Sequence, residues 1–191
     1  YATQYTHEYD SKDNTYDENA EYPTAGDALK TALEKGGNII LGDDIPLSPD
    51  VPDKTYSGLV PHMSVSKDIN LDLSGKSLNV DPEAAAEGFG KTSPVLMAVM
   101  DGTLTIDGDG EINCEAGEEQ VYGINVNGGK VVINGGRYYG AITAVQVQKG
   151  ELEINGGFFD LAPTIKAAAP VYAKYLINAI DQSFRDGTAK I

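Results

Sequence analysis

Short alternations of apolar and polar residues recur in the second half of the chain. Four six-residue segments align without gaps, and each reads x-Gly-x-apolar-x-Ile: residues 101–106, 128–133, 149–154 and 186–191. Another apolar residue precedes each isoleucine by seven positions: Val99, Val126, Val147 and Phe184. Residues 71–75 look like an older copy. A period of two predicts β-strands with one buried face.

The four isoleucines are separated by 27, 21 and 37 residues. Such uneven spacing suits a solenoid, because one turn of a coil can lengthen without disturbing its neighbours. We therefore predict an all-β fold, a right-handed single-stranded parallel β-helix, with its longer loops at residues 108–120 and 158–174. A β-sandwich built of hairpins is the alternative, since Asn-Gly is also a strong hairpin signal.

The turn after each repeat carries Asp-Gly or Asn-Gly-Gly. Asparagine tolerates a positive φ and glycine accepts it freely, so these residues suit a sharp corner. We expect the isoleucines to stack inside the fold. We also expect the asparagines to hydrogen-bond from coil to coil at the corner.

Residues 24–35 read as a helix with Thr24 as its N-cap and an apolar stripe that includes Leu29 and Leu33. Gly36-Gly37 ends it, and a strand begins at Asn38. A helix over the first coil would cap the solenoid. We assign residues 23–191 to this capping helix and β-helix. We expect the β-helix to continue beyond residue 191, which falls inside a repeat.

Residues 1–22 form a distinct arm with five tyrosines, six acidic residues and one lysine. Such a polar segment buries too little apolar surface to fold alone. Tyrosine combines an apolar ring with a hydroxyl group and is enriched at interfaces. We expect an extended arm that binds a partner through its tyrosines: Tyr1, Tyr5, Tyr9, Tyr16 and Tyr22.

The net charge of −15, with only two arginines, argues against binding to nucleic acid or to anionic lipid. No apolar run approaches the length of a membrane span. The single cysteine, Cys114, excludes an intrachain disulfide. We expect a buried, inert thiol whose pKa is raised by the glutamates around it.

Two motifs resemble known sites without completing them. Residues 107–118 resemble a calcium loop, but Ile112 stands where the turn needs glycine. Residues 74–77 (SGKS) lack the first glycine of a phosphate-binding loop. His7 lies in the polar arm and His62 is expected in a loop, and two unlinked histidines make no metal site and no catalytic triad. We expect no catalytic residue, no metal and no cofactor.

Four aromatic residues follow the Gly-Gly turns: Tyr138, Tyr139, Phe158 and Phe159. They suit stacking between adjacent coils, with a sugar-binding face as the alternative. Arg137 precedes the first pair and is expected on a solvated face.

The segment from Ala25 to Leu41 and the Ile-Asn-Gly-Gly repeats resemble bacteriophage virion proteins of the pectate-lyase-like β-helix class. Tailspike, tail-fibre, head-fibre and decoration proteins belong to this class. Residues 175–191 also resemble β-helix proteins of phages and gut-bacterial surfaces. The resemblance covers residues 24–191.

The resemblance implies a structural protein on the virion surface that contacts other virion proteins and copies of itself, often as a homotrimer. A glycan-binding spike or a bacterial surface adhesin remains an alternative, and a polysaccharide depolymerase is another. Pectate lyases of this fold use a tryptophan-containing motif and an arginine base, and this chain has no tryptophan.

Overall fold

In a computed structural model, the chain is described over residues 24–49, 51, 53–81, 88–115, 121–161 and 176–179. These residues are mostly β-strand, with one helix. The arm at residues 1–22 with its five tyrosines, His7 and the last repeat at residues 186–191 lie outside the described residues.

The elements follow one another along the described residues in this order: α1 (Ala25–Lys35), β1 (Gly37–Ile40), β2 (Ile45–Leu47), β3 (Gly58–Val65), β4 (Ile69–Asp72), β5 (Ser77–Val80), β6 (Thr92–Val99), β7 (Thr103–Asp107), β8 (Glu111–Asn113), β9 (Tyr122–Ile133), β10 (Arg137–Gly140), β11 (Val145–Ile154), β12 (Phe158–Leu161) and β13 (Ile177–Ala179).

The strands form three parallel ladders. The first ladder contains β3, β6, the first halves of β9 and β11, and β13. The second contains β1, β4, β7 and the second halves of β9 and β11. The third is a separate five-stranded sheet of β2, β5, β8, β10 and β12. Because β9 and β11 run through both of the first two ladders, those ladders form one eight-stranded sheet.

The predicted isoleucine column is confirmed. Ile106 is in register with Ile133, and Ile133 with Ile154. Leu71 pairs with Ile106 in the same column, as expected for an older copy of the repeat. The first two isoleucines are fully buried, while Ile154 in the last layer is partly buried against the same core.

Every strand pairing among the described residues is parallel, so the hairpin sandwich is wrong for this part of the chain. The predicted loops at residues 108–120 and 158–174 also need correction. The first contains β8 and the second contains β12, both in the third ladder. Both strands are too short for alternation to mark them, and they form because neighbouring strands pair with them.

The predicted helix is confirmed as α1. The Thr24 hydroxyl oxygen accepts a hydrogen bond from the Asp27 amide, and Gly36 ends the helix at φ 81°. Leu29 and Leu33 are buried in the core. The helix contacts β1, β2 and β3, which are the end strands of the three ladders, and it covers apolar side chains at this end.

The repeated glycine lies where neighbouring layers approach each other closely. Gly150 has a φ of +115°, and a Cβ there would run into the carbonyl oxygen of Gly129 one layer away. A Cβ at Gly129 would lie 2.6 Å from the carbonyl oxygen of Gly102. The glycine of the repeat is therefore required by layer spacing as well as by turn conformation.

In the last described layer, Val147 pairs with Ala179 of β13. Phe184 lies outside the described residues.

Candidate functional site

The most regular polar cluster runs along the corner between the second and third ladders. The Nδ2 of Asn134 donates a hydrogen bond of 2.8 Å to Oδ1 of Asp107. The Nδ2 of Asn155 donates one of 2.9 Å to Oδ1 of Asn134. These three residues, here called the corner ladder, confirm the predicted hydrogen bonds from layer to layer. Both polar atoms of the Asn134 side chain are used, so this side chain has a structural role.

An ion pair lies beside the corner ladder on the outer face of the second ladder. Lys130 Nζ and Glu153 Oε2 are 2.8 Å apart, and Asn155 Nδ2 also donates to Glu153 Oε1. The hydrogen bond from Lys130 is the main reason that the pKa of Glu153 is lowered, and the same bond raises the pKa of Lys130. Both side chains are well exposed, so water weakens the pair and its contribution to stability is small.

The calcium-loop and phosphate-loop motifs have structural explanations. Asp107 is a member of the corner ladder, and Glu118 lies outside the described residues. Ser74 and Gly75 have φ values of 49° and 72° and turn the chain from β4 into β5, a strand. A phosphate-binding loop leads into a helix N-terminus, which is missing at this turn. Across the described ranges, no three His, Cys, Asp or Glu side chains are arranged to hold a metal ion.

Cys114 is fully buried, as predicted, and burial raises the pKa of its thiol to about 12. The cause differs from the expected one, because burial rather than the charge of neighbouring glutamates produces the shift. The thiol is therefore inert towards reagents in solution while the fold is intact. His62 lies within β3 and not in a loop.

The four aromatic residues form two different pairs. The rings of Tyr138 and Phe159 stack with centroids 4.9 Å apart, and the Tyr138 hydroxyl donates to the Gly135 carbonyl. This inner pair confirms the predicted stacking between layers. Tyr139 and Phe158 contact each other at 6.1 Å with tilted rings, and Phe158 is 52% exposed.

The outer aromatic pair lies on the exterior of the third ladder. Arg137, the register partner of Phe158, is exposed, as predicted for a solvated face. Parallel pairing of β10 with β12 places Arg137 and Phe158 side by side on adjacent strands. Phe158 is therefore the exposed member of the four aromatic residues, since Tyr138 belongs to the core and both Tyr139 and Phe159 are partly buried against it.

Buried amides on the outer side of the first ladder were missed by sequence reasoning. Asn125 and Gln146 are register partners and are 4% and 3% exposed. Asn125 Nδ2 donates to Gln148 Oε1 at 3.0 Å, whereas its own Oδ1 is buried without a hydrogen bond. Both residues alternate with buried aliphatic residues, a pattern that ordinarily indicates solvent exposure, so the sequence carries no signal of this burial.

The helix α1, with eleven residues, is too short and too polar to cross a membrane, and it is the sole helix in the described part of the chain. Comparison of the chain with protein-family models, curated proteins and solved structures gives no match.

Proposed function

We propose that the chain is a right-handed single-stranded parallel β-helix that serves as a structural protein of a bacteriophage virion. In this proposal it is a capsid decoration, head-fibre or tail-spike subunit on the particle surface. It contacts copies of itself, as a homotrimer, and other virion proteins through its N-terminal arm.

The order in which the chain visits the three ladders is the observation that carries the proposal. The strands β3, β4 and β5 lie in the first, second and third ladders, and β6, β7 and β8 repeat this order. The same order occurs twice more, because β9 and β11 each pass through the first and second ladders and are followed by β10 and β12 in the third. Stacked passes with in-register side chains are what a solenoid requires, and they produce an elongated, projecting shape.

The polar groups on the outside of the ladders support a structural role. Asp107, Asn134 and Asn155 bond to one another, and Lys130 pairs with Glu153. Each of these side chains thus stabilises contact between successive layers. The pKa shifts of Lys130 and Glu153 come mainly from the hydrogen bond between them, whereas a shift caused by burial is the usual feature of an active-site group.

Charge supports a separate partner for the arm. The arm contributes six acidic residues and one lysine to a net charge of −15, so the rest of the chain is strongly acidic as well. Repulsion disfavours docking of the arm on its own β-helix, whereas a basic partner surface would attract it.

The test is immunogold electron microscopy of phage particles from the culture that produces the chain, with antibody raised against residues 24–161. We expect gold on the particles, and deletion of residues 1–22 should remove it while the melting temperature of the purified chain stays the same. Labelling of the bacterial envelope in place of particles would instead support a surface adhesin. A truncated chain that melts earlier and still joins particles would show that the arm is an internal brace.

A glycan-binding role is the second candidate, favoured by the exposed Phe158 beside Tyr139 and Arg137. A glycan array separates it from the first: binding that is lost in Phe158→Ser but kept in Tyr56→Ser would support a sugar face. Tyr56 is the matched control, because it is another exposed aromatic residue, 53% exposed. Cleavage of capsular polysaccharide by the chain would support a depolymerase.

A further inference from the structure

The three methionines of the chain differ sharply in their access to solvent. Met63 and Met97 are register partners in the first ladder and are 2% and 1% exposed. Met100, just after β6, is 42% exposed. The chain thus carries one exposed thioether and two buried ones that serve as internal controls.

The backbone around Met100 is firmly held although its side chain is exposed. The Met100 amide donates a hydrogen bond of 2.8 Å to the Val65 carbonyl. The Met100 carbonyl oxygen lies so close to Gly128 that a Cβ at that glycine would collide with it. Chemistry at the sulfur can therefore proceed without movement of the ladder.

The side chain of Asn127, one layer away, is directed at this sulfur. Its Nδ2 lies 3.9 Å from Met100 Sδ, in hydrogen-bonding geometry. A thioether is a weak acceptor, so this bond contributes little in the reduced protein. An oxygen atom bound to the sulfur would be a much better acceptor for the same amide group.

We propose that Met100 is a reversible oxidation site whose sulfoxide is stabilised by Asn127. The oxidant is a hydroperoxide such as hydrogen peroxide. A sulfur lone pair attacks one peroxide oxygen, the S–O bond forms and the O–O bond breaks, and the other oxygen leaves as water after proton transfer. The sulfur loses two electrons and the peroxide gains them.

The location of Met100 determines the consequence of this oxidation. A sulfoxide at Met63 or Met97 would place a polar group inside the core and disrupt it. At Met100 the new oxygen lies at an exposed corner and gains Asn127 as a donor, so the fold tolerates it. The same exposure makes this sulfoxide accessible to methionine sulfoxide reductases.

The test is a time course of hydrogen peroxide treatment of the folded full chain, with tandem mass spectrometry to locate each added oxygen. We expect Met100 to react at least about tenfold faster than Met63 and Met97, since the buried pair reacts only through local opening. In concentrated urea the three rates should become equal. Equal rates in the folded chain, or faster reaction of a buried methionine, would overturn the proposal.

The role of Asn127 is tested separately. Oxidation should shift the side-chain amide resonances of Asn127 in nuclear magnetic resonance spectra and leave the melting temperature unchanged. Met100→Leu, the matched control, should show neither the rapid oxygen addition nor the shift after peroxide treatment. Unchanged Asn127 resonances in the oxidised wild-type chain would refute stabilisation by this amide, and a lowered melting temperature would refute tolerance.

Discussion

Replacement of Ile133 by alanine tests the central column of the core. Ile133 is fully buried between its register partners Ile106 and Ile154. The layers above and below are fixed by backbone hydrogen bonds, so neighbouring side chains cannot move in to fill the space that the substitution leaves.

The expected cost follows from this rigidity. Loss of a buried isoleucine side chain costs about 2–5 kcal/mol, and a site that cannot collapse lies in the upper half of that range. We therefore expect the free energy of unfolding to fall by about 3–4 kcal/mol. For a chain of this size the melting temperature should fall by roughly 6–16 °C. Ile133→Asp should cost more, because it buries an unpaired charge.

The assay is urea unfolding followed by far-ultraviolet circular dichroism and tyrosine fluorescence. The control is Val132→Ala, since Val132 is half-buried on the other face of the same strand, between Thr105 and Glu153. It should cost under about 1 kcal/mol. If Ile133→Ala unfolds like the wild type, or Val132→Ala is equally damaging, the assigned register is wrong.

Three further predictions concern the corners and the thiol. Gly150→Ala should lower the free energy of unfolding, measured in thermal melts, by roughly 3 kcal/mol or more, because the new Cβ meets the carbonyl oxygen of Gly129. The control Gly75→Ala should lower it by only about 1 kcal/mol, because the atom nearest to the new Cβ would be 3.7 Å away. Equal losses in the two variants would contradict the close approach at Gly150. Asn134→Ala should lower the free energy of unfolding by about 1–2 kcal/mol, and no loss would show that the corner ladder is unimportant. Burial raises the pKa of the Cys114 thiol to about 12 from 9.0. The contribution of this thiol to the free energy of unfolding should therefore be fully present below pH 9 and lost as the pH rises towards 12. Rapid reaction of the thiol with Ellman's reagent in the folded chain would contradict its burial.

The parts of the fold that could be predicted from the sequence are those with local, repeated signals. The stacking of Ile106 on Ile133 follows from two copies of the same pattern, x-Gly-x-apolar-x-Ile, aligned in the same register. The hydrogen bond between Asn155 and Asn134 follows from the same corner residue in two copies. The helix α1 has its cap, stripe and terminating glycine within thirteen residues.

The remaining features depend on pairing between distant segments. The three residues of β8 contain one buried isoleucine, which cannot distinguish a strand from a loop until β5 and β10 pair with it. The burial of Asn125 also depends on contacts between distant segments, since alternation along β9 indicates only which residues share a face of the strand. For the candidate site, the corner ladder could be predicted, whereas the contact between Met100 and Asn127 could not, because it joins two layers at a turn.

A crystal structure of the full chain would test the central claim most directly. The proposed β-helix predicts Ile106, Ile133 and Ile154 on successive parallel strands about 4.8 Å apart, with each coil wound to the right through the three ladders. Antiparallel pairing of these strands, or three ladders that fail to close around one shared core, would contradict it.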